Sequence, residues 1–144
     1  MQSSDKELVQ FVVAAIVQQG IQKVILSPGS RNAPFAIAFD AHPQIETLVV
    51  HDERSAAFIA LGIAEQTQKP VALVCTSGSA LLNYYPAIAE AFYSNIPLVV
   101  LSADRPEHLI NVGDGQTINQ ENVFQNHILF SANLKQDLRD INGF

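Results

Sequence analysis

Four charged side chains carry the chemistry this sequence offers: Glu53, Arg31, Arg54 and Arg105. Glu53 stands in His51-Asp52-Glu53-Arg54, where the apolar run Thr47 to Val50 ends and a helical pattern, Ser55 to Thr67, begins. A carboxylate at such a junction has two uses. It can sit at the positive end of a helix dipole, or it can be an acid held in a ligand pocket. Three of the four arginines fall in segments that directly follow apolar runs, and none of the four lysines does. Arginine's planar fork binds carboxylates and phosphates in a bidentate way that lysine cannot. The sorting points to an anionic ligand of the carboxylate kind. The alternative is that the arginines pair with Asp52, Glu53 and Asp104 to tie loops together.

Other reactive side chains offer less. Cys75 precedes Thr76-Ser77-Gly78-Ser79, but a nucleophile elbow requires a GxSxG turn, so the thiol reads as the buried end of a strand. His42, His51, His108 and His127 have no HExxH or paired spacing, and no metal site is assigned to this chain. SPGSR and TSGSA have the small residues of a phosphate cradle without matching the Walker or dinucleotide glycine patterns; Gly29 and Gly78 can equally serve tight turns.

The elements that must hold these residues alternate. Leu8, Phe11, Val12, Ala15 and Ile16 recur at helical spacing before Gly20, and KVILS (Lys23 to Ser27) reads as a strand. A helix over Ala33 to Asp40 follows, with Pro34 in its first turn. The cycle repeats as strand Thr47 to Val50, helix Ser55 to Thr67, strand Val71 to Cys75, helix Ala80 to Ser94 and strand Leu98 to Ser102. Continuous Val, Ile and Leu strands alternating with helices predict an α/β doubly wound domain, its parallel sheet covered on both faces. In such a sheet SPGSRNAP, HDERS, TSGSAL and ADRPEH all emerge at one edge, where open α/β sheets bind ligands. After Pro106 the pattern becomes a long polar loop, with a strand expected over Ile128 to Ala132 and a helix over Lys135 to Ile141.

Composition bounds the rest. The 144 residues are 48% apolar and 15% charged, enough for one domain with a real core. A net charge of -6 with no basic stripe argues against nucleic acid. One cysteine, no secretion signal and no apolar run near the length of a membrane helix give a soluble, cytoplasmic expectation.

SPGSRNAP, HDERSAAFIALGIA, PVALVCTSGSALLNYYPAIAEA, PLVVLSADRPEHLI and the Gln116 region together resemble the N-terminal, pyrimidine-binding domain of the MenD family. These are thiamine-diphosphate-dependent 2-succinyl-5-enolpyruvyl-6-hydroxy-3-cyclohexene-1-carboxylate synthases of menaquinone biosynthesis. The match runs from about Leu8 to Leu134. The acidic DER is shared by many thiamine diphosphate enzymes, whereas PGSR together with SADRP is far more particular to this family. The resemblance implies that Glu53 bonds the N1′ nitrogen of the cofactor's aminopyrimidine and stabilises its imino tautomer. Pro28 and Ser79 would also border the cofactor, Ser79 standing where Thr is common. Ser30, Arg31, Arg105 and Gln116 would hold the acidic substrates 2-oxoglutarate and isochorismate; Gly115 replaces an Asn frequent in the family, removing one side-chain contact.

The resemblance also implies a middle and a diphosphate-binding domain beyond these residues. The ligands for Mg2+ or Mn2+ are expected there, and Gly113-Asp114-Gly115 lacks the preceding apolar strand that a metal-binding GDG would have. Active sites shared between subunits imply a homodimer or homotetramer, and the 144 residues alone are expected to be inactive. Another thiamine diphosphate lyase of the acetolactate synthase type, or a stand-alone anion-binding module, are the alternatives.

Overall fold

The computed structural model describes residues 4–134. Helix α1 (Glu7–Gln18) leads into strand β1 (Lys23–Leu26), then α2 (Ala33–Asp40), β2 (Glu46–Val49), α3 (Glu53–Thr67) and β3 (Val71–Cys75). Two helices follow, α4 (Ser79–Leu82) and α5 (Tyr85–Ser94), before β4 (Leu98–Ser102) and the long polar loop with single 3-10 turns at Glu107–Leu109 and Gln125–His127. All strand pairs are parallel, in the order β2-β1-β3-β4.

Strands β1, β3 and β4 are covered on both faces, as their apolar runs predict, whereas the edge strand β2 leaves Leu48 and Val49 exposed. Val24, Leu26, Ala72 and Val74 pack against α1 and α2, while Ile25, Val71, Leu73 and Cys75 pack against α3 and α5. β3 is the centre, and all five of its residues are fully buried because both neighbours and both helix layers cover it. Helix α3 meets the sheet through Ala56, Ala57, Ala60 and Ala64, each 0% exposed. Such a seam of methyl groups lets the helix backbone approach the strands closely, leaving no space for longer chains.

Three expectations need correction. The predicted helix Ala80 to Ser94 is two helices, broken at Asn83 and Tyr84, with Pro86 in the first turn of the second where its missing N–H is harmless. Helix α1 buries Val9, Val12, Val13 and Ile16 rather than the face through Phe11, which is exposed. The segment Ile128 to Ala132 forms no strand: Leu129 and Phe130 face outward, and the chain leaves the 3-10 turn at Gln125–His127 without pairing to β4. The helix expected over Lys135 to Ile141 lies outside the described residues. Among the described residues, no helix is long and apolar enough to cross a membrane.

Cys75 ends β3 in the core. Burial pushes its thiol up to about 12, opposed by the Tyr84 hydroxyl and reinforced by the charge of Glu53. An unfolded thiol releases its proton near 9.0, so the folded form is the one that keeps the proton above that pH. Stability is therefore complete below 9.0 and declines as pH rises from there towards about 12. Tyr84, also shifted upward by burial, adds to the decline.

Two outcomes test this packing. Ala60→Leu should lower folding stability by about 1–3 kcal/mol in urea titration through overpacking; an unchanged midpoint would mean the α3 seam is not close-packed. Native Cys75 should resist alkylation at pH 8 and react once the chain is unfolded, and Cys75→Ala should flatten the alkaline decline in stability. Rapid labelling of folded protein would contradict the buried placement.

Candidate functional site

The parallel register brings Leu26, Val49 and Val74 level with one another, and Cys75 level with Ser102. The four strand-following loops therefore leave one edge of the sheet, as their spacing predicts. Pro28 and Ser30 are exposed in the loop after β1, and Arg31 is exposed in the turn that leads into α2. Glu53 is the first residue of α3 and half-buried; Ser79 is the first residue of α4 and exposed. Arg105 follows β4, and Gln116 is exposed in the polar loop.

Glu53 does not cap its helix. The residue before it does: Asp52 is the N-cap, and its Oδ1 accepts the Ser55 backbone N–H at 2.7 Å. That bond also holds the Asp52 carboxyl below its ordinary pKa. The capping need of α3 is met by one side-chain acceptor, and Glu53 has no hydrogen-bond or ion-pair partner among the described residues. Its charge adds to the effect of burial in raising the Cys75 thiol, at the end of β3, and the Tyr84 hydroxyl.

The arginines divide. Arg105 is engaged, with Nη1 3.2 Å from an Asp114 carboxylate oxygen and Nη2 donating to the Gly115 carbonyl at 2.8 Å. The loop-tying reading thus describes Arg105, but its acid is Asp114 and not Asp52, Glu53 or Asp104. The same pair occupies the aspartate of Gly113-Asp114-Gly115. Arg31 and Arg54 have no ion-pair partner among the described residues. Asp104, beside Arg105, has its carboxyl raised by burial against the opposing effect of the Arg105 backbone N–H.

Close backbone approach joins the loops. A Cβ at Gly29 would lie 2.5 Å from the Thr76 side chain, so the loop after β1 rests directly on the loop after β3. Gly78 has φ +84, and a Cβ there would lie 2.7 Å from the Gln116 backbone. Ser77 Oγ donates to the Gln116 carbonyl at 3.0 Å. These contacts account for both glycines, and the Gly78 N–H that a phosphate cradle would offer is already bonded to Gln120 Oε1 at 2.7 Å. That N–H is not available to an anion in TSGSA. Asn32 likewise turns inward, donating to the Ser27 carbonyl at 2.8 Å instead of capping α2.

The structure thus draws Gln116 onto the Ser77–Gly78 turn and Arg105 onto Gly115, whereas Ser30, Arg31 and Glu53 share the edge without touching one another through polar bonds among the described residues. An open groove of about 490 Å³ lies beside Arg54, Ser55, Phe58 and Pro86, on the flank of α3 just beyond Glu53. Sequence reasoning missed Gln120, one of several glutamines in a polar stretch, whose buried amide ties the polar loop to the loop after β3 and to the end of β4. A buried, fully bonded amide leaves no periodic or spacing signal. A half-buried carboxylate without a polar partner among the described residues, at a strand-end edge, can accept a hydrogen bond from a ligand N–H or share a proton with a ring nitrogen.

Residues 6–132 match the family model described as thiamine pyrophosphate enzyme, N-terminal TPP binding domain. The chain is 62% identical over 130 residues to a 2-succinyl-5-enolpyruvyl-6-hydroxy-3-cyclohexene-1-carboxylate synthase of Flavobacterium johnsoniae, covering 90% of this chain and 24% of that protein. The synthase of the same name from Christiangramia forsetii is 61% identical over 138 residues, 96% of this chain and 24% of the relative. That of Staphylococcus epidermidis is 55% identical over 115 residues, 80% of this chain and 21% of the relative. The chain spans about a quarter of the length of these curated relatives. On the match over residues 6–132 and on the fold that carries it, this chain belongs to the thiamine pyrophosphate enzyme family, as its N-terminal TPP-binding domain.

Proposed function

We propose that this domain supplies the pyrimidine-facing half of a 2-succinyl-5-enolpyruvyl-6-hydroxy-3-cyclohexene-1-carboxylate synthase. The reaction decarboxylates 2-oxoglutarate and adds the succinyl unit to isochorismate, in menaquinone biosynthesis. The observation that carries the reading is Glu53: a half-buried carboxylate at the ligand-binding edge, released from capping by Asp52 and free of partners among the described residues. High identity to synthases over nearly the whole chain supports the choice of reaction.

Thiamine diphosphate, when bound, supplies a carbon nucleophile that can accept the electrons released on decarboxylation of a 2-oxo acid. Glu53 would hold a proton at the N1′ position of the aminopyrimidine, favouring the tautomer in which the exocyclic nitrogen can take up a proton. Closure against the cofactor would exclude water from the carboxyl and so strengthen its hydrogen bond to the ring nitrogen. Pro28 and Ser79 would border the ring, and the Ser79 hydroxyl offers a further polar contact.

Arg31 would take a substrate carboxylate with its free guanidinium, and Ser30 would add a hydroxyl beside it. Arg105 would orient the acidic substrates from its place between Asp114 and the Gly115 carbonyl, with Gln116 presented alongside. The Mg2+ or Mn2+ that accompanies the diphosphate would be held by residues of another domain. Assembly as a homodimer or homotetramer would complete the site, and exposed Phe58, Ile59, Phe92 and Tyr93 on α3 and α5 offer the apolar surface such an assembly needs.

In the full-length polypeptide that carries this domain, Glu53→Gln should fold normally and slow turnover of 2-oxoglutarate with isochorismate by about 10²-fold or more, the scale of a lost proton-transfer group. Near-normal turnover would return Glu53 to a structural role. Arg31→Lys should raise KM for the acidic substrates while leaving thermal stability unchanged, because the fork is lost and no ion pair is broken. A fall in stability with unaltered KM would instead make Arg31 a structural residue.

A further inference from the structure

Gln120 is 9% exposed although it stands in a stretch of otherwise polar, largely exposed residues. Its Oε1 accepts the Gly78 N–H at 2.7 Å, and its Nε2 donates to the Ala103 carbonyl at 3.0 Å and to Ser102 Oγ at 3.2 Å. One neutral amide thus joins the loop after β3, the end of β4 and the polar loop. The acceptor and the donor are both in use. A polar group buried without such partners would be left desolvated at a net cost.

Four residues earlier the same loop turns through Gln116 at φ 55, a left-handed conformation that non-glycine residues adopt when their surroundings fix it. The Gln116 backbone is pressed onto Gly78 so closely that a Cβ on the glycine would lie 2.7 Å away, and its carbonyl accepts Ser77 Oγ. The Gly78 peptide is therefore clamped between Gln116 outside and Gln120 beneath.

We propose that Gln120 is a positioning residue, whose amide sets the placement of Gln116 and so tunes recognition of the acidic substrate without touching it. The inference rests on the synthase reading, because Gln116 meets a substrate only there. The neutral amide matters as well as its size. Glutamate at 120 would retain an acceptor for Gly78 but set a carboxylate against the Ala103 carbonyl, where the amide N–H now donates.

The test uses the full-length polypeptide carrying this domain, saturated with thiamine diphosphate and Mg2+, as wild type, Gln120→Glu, Gln116→Ala and the double variant. Gln120→Asn, which keeps both amide functions one methylene shorter, serves as the conservative variant. Gln120→Glu should raise substrate KM about tenfold, the equivalent of one lost hydrogen bond, with a smaller change in kcat. Gln120→Asn should fall between it and wild type. The double variant should resemble the worse single variant, since the two residues act through one contact. Multiplying KM effects would overturn the proposal.

Amide hydrogen exchange separates this idea from the synthase reading. Exchange in 111–119 and at Gly78 should accelerate in Gln120→Glu while β3 stays protected. Absence of wild-type turnover would sink the synthase reading and with it the kinetic claim. Unchanged loop exchange would overturn the tether itself, whether or not the protein is active.

Discussion

Parallel pairing is the constraint on which everything else in this domain depends. Strands that run the same way cannot be joined by tight turns, so each is followed by a crossover helix that must cover a face of the sheet. Covering both faces forces β3 to be wholly apolar and fully buried, and it forces α3 to meet the sheet through alanines. The same constraint delivers four loops to one edge. The site is thus a consequence of how the core is built, and its polar residues stand at the C-terminal ends of the strands that the core makes rigid.

At that edge the division of labour between neighbouring acids decides what chemistry is available. Asp52 and Glu53 are adjacent in sequence and both lie at the start of α3, but only Asp52 bonds to a helix N–H. A helix start needs one such acceptor, and the second carboxylate is left for another purpose. Arginines divide in the same manner. Arg105 is tied to Asp114 and the Gly115 carbonyl, holding the polar loop against the end of β4, while Arg31 remains exposed without an ion pair among the described residues. Structural fastening thus takes one acid and one arginine, and leaves another of each type without a polar partner at the same edge among the described residues.

Much of this was legible in the sequence because it is governed by local pattern. The apolar runs of β1, β3 and β4 and the helices around Ala33 and Ser55 stand close to where periodicity predicts them. Errors arose where local pattern is indifferent to the tertiary outcome. Tyr84 continues an apolar helical stretch, yet its ring is fully buried at a break between α4 and α5, with its hydroxyl next to Ser27 and Cys75. Ile128 to Ala132 has the composition of a strand but no partner edge brought to it. Phe11 satisfies the helical period and lies on the outer face, because the width of the buried stripe is set by α2 and the sheet and not by α1 itself. Among the candidate site residues, Ser30, Arg31, Glu53, Ser79 and Arg105 stand out in the strand-end loops themselves, whereas Pro28 and Gln116 are singled out only by family motifs. Gln120 is singled out by neither, because its three bonds reach Gly78, Ser102 and Ala103 across 42, 18 and 17 residues and no short-range signal records them.

The most direct test of the central claim, that Glu53 is an acid reserved for the cofactor, is a crystal structure of the full-length polypeptide with thiamine diphosphate bound. A Glu53 carboxylate oxygen should lie within hydrogen-bonding distance of the aminopyrimidine N1′, about 2.6–3.2 Å, with Asp52 still bonded to the Ser55 N–H. Finding N1′ bonded to another group, with Glu53 turned towards the helix backbone or towards Arg31, would contradict it.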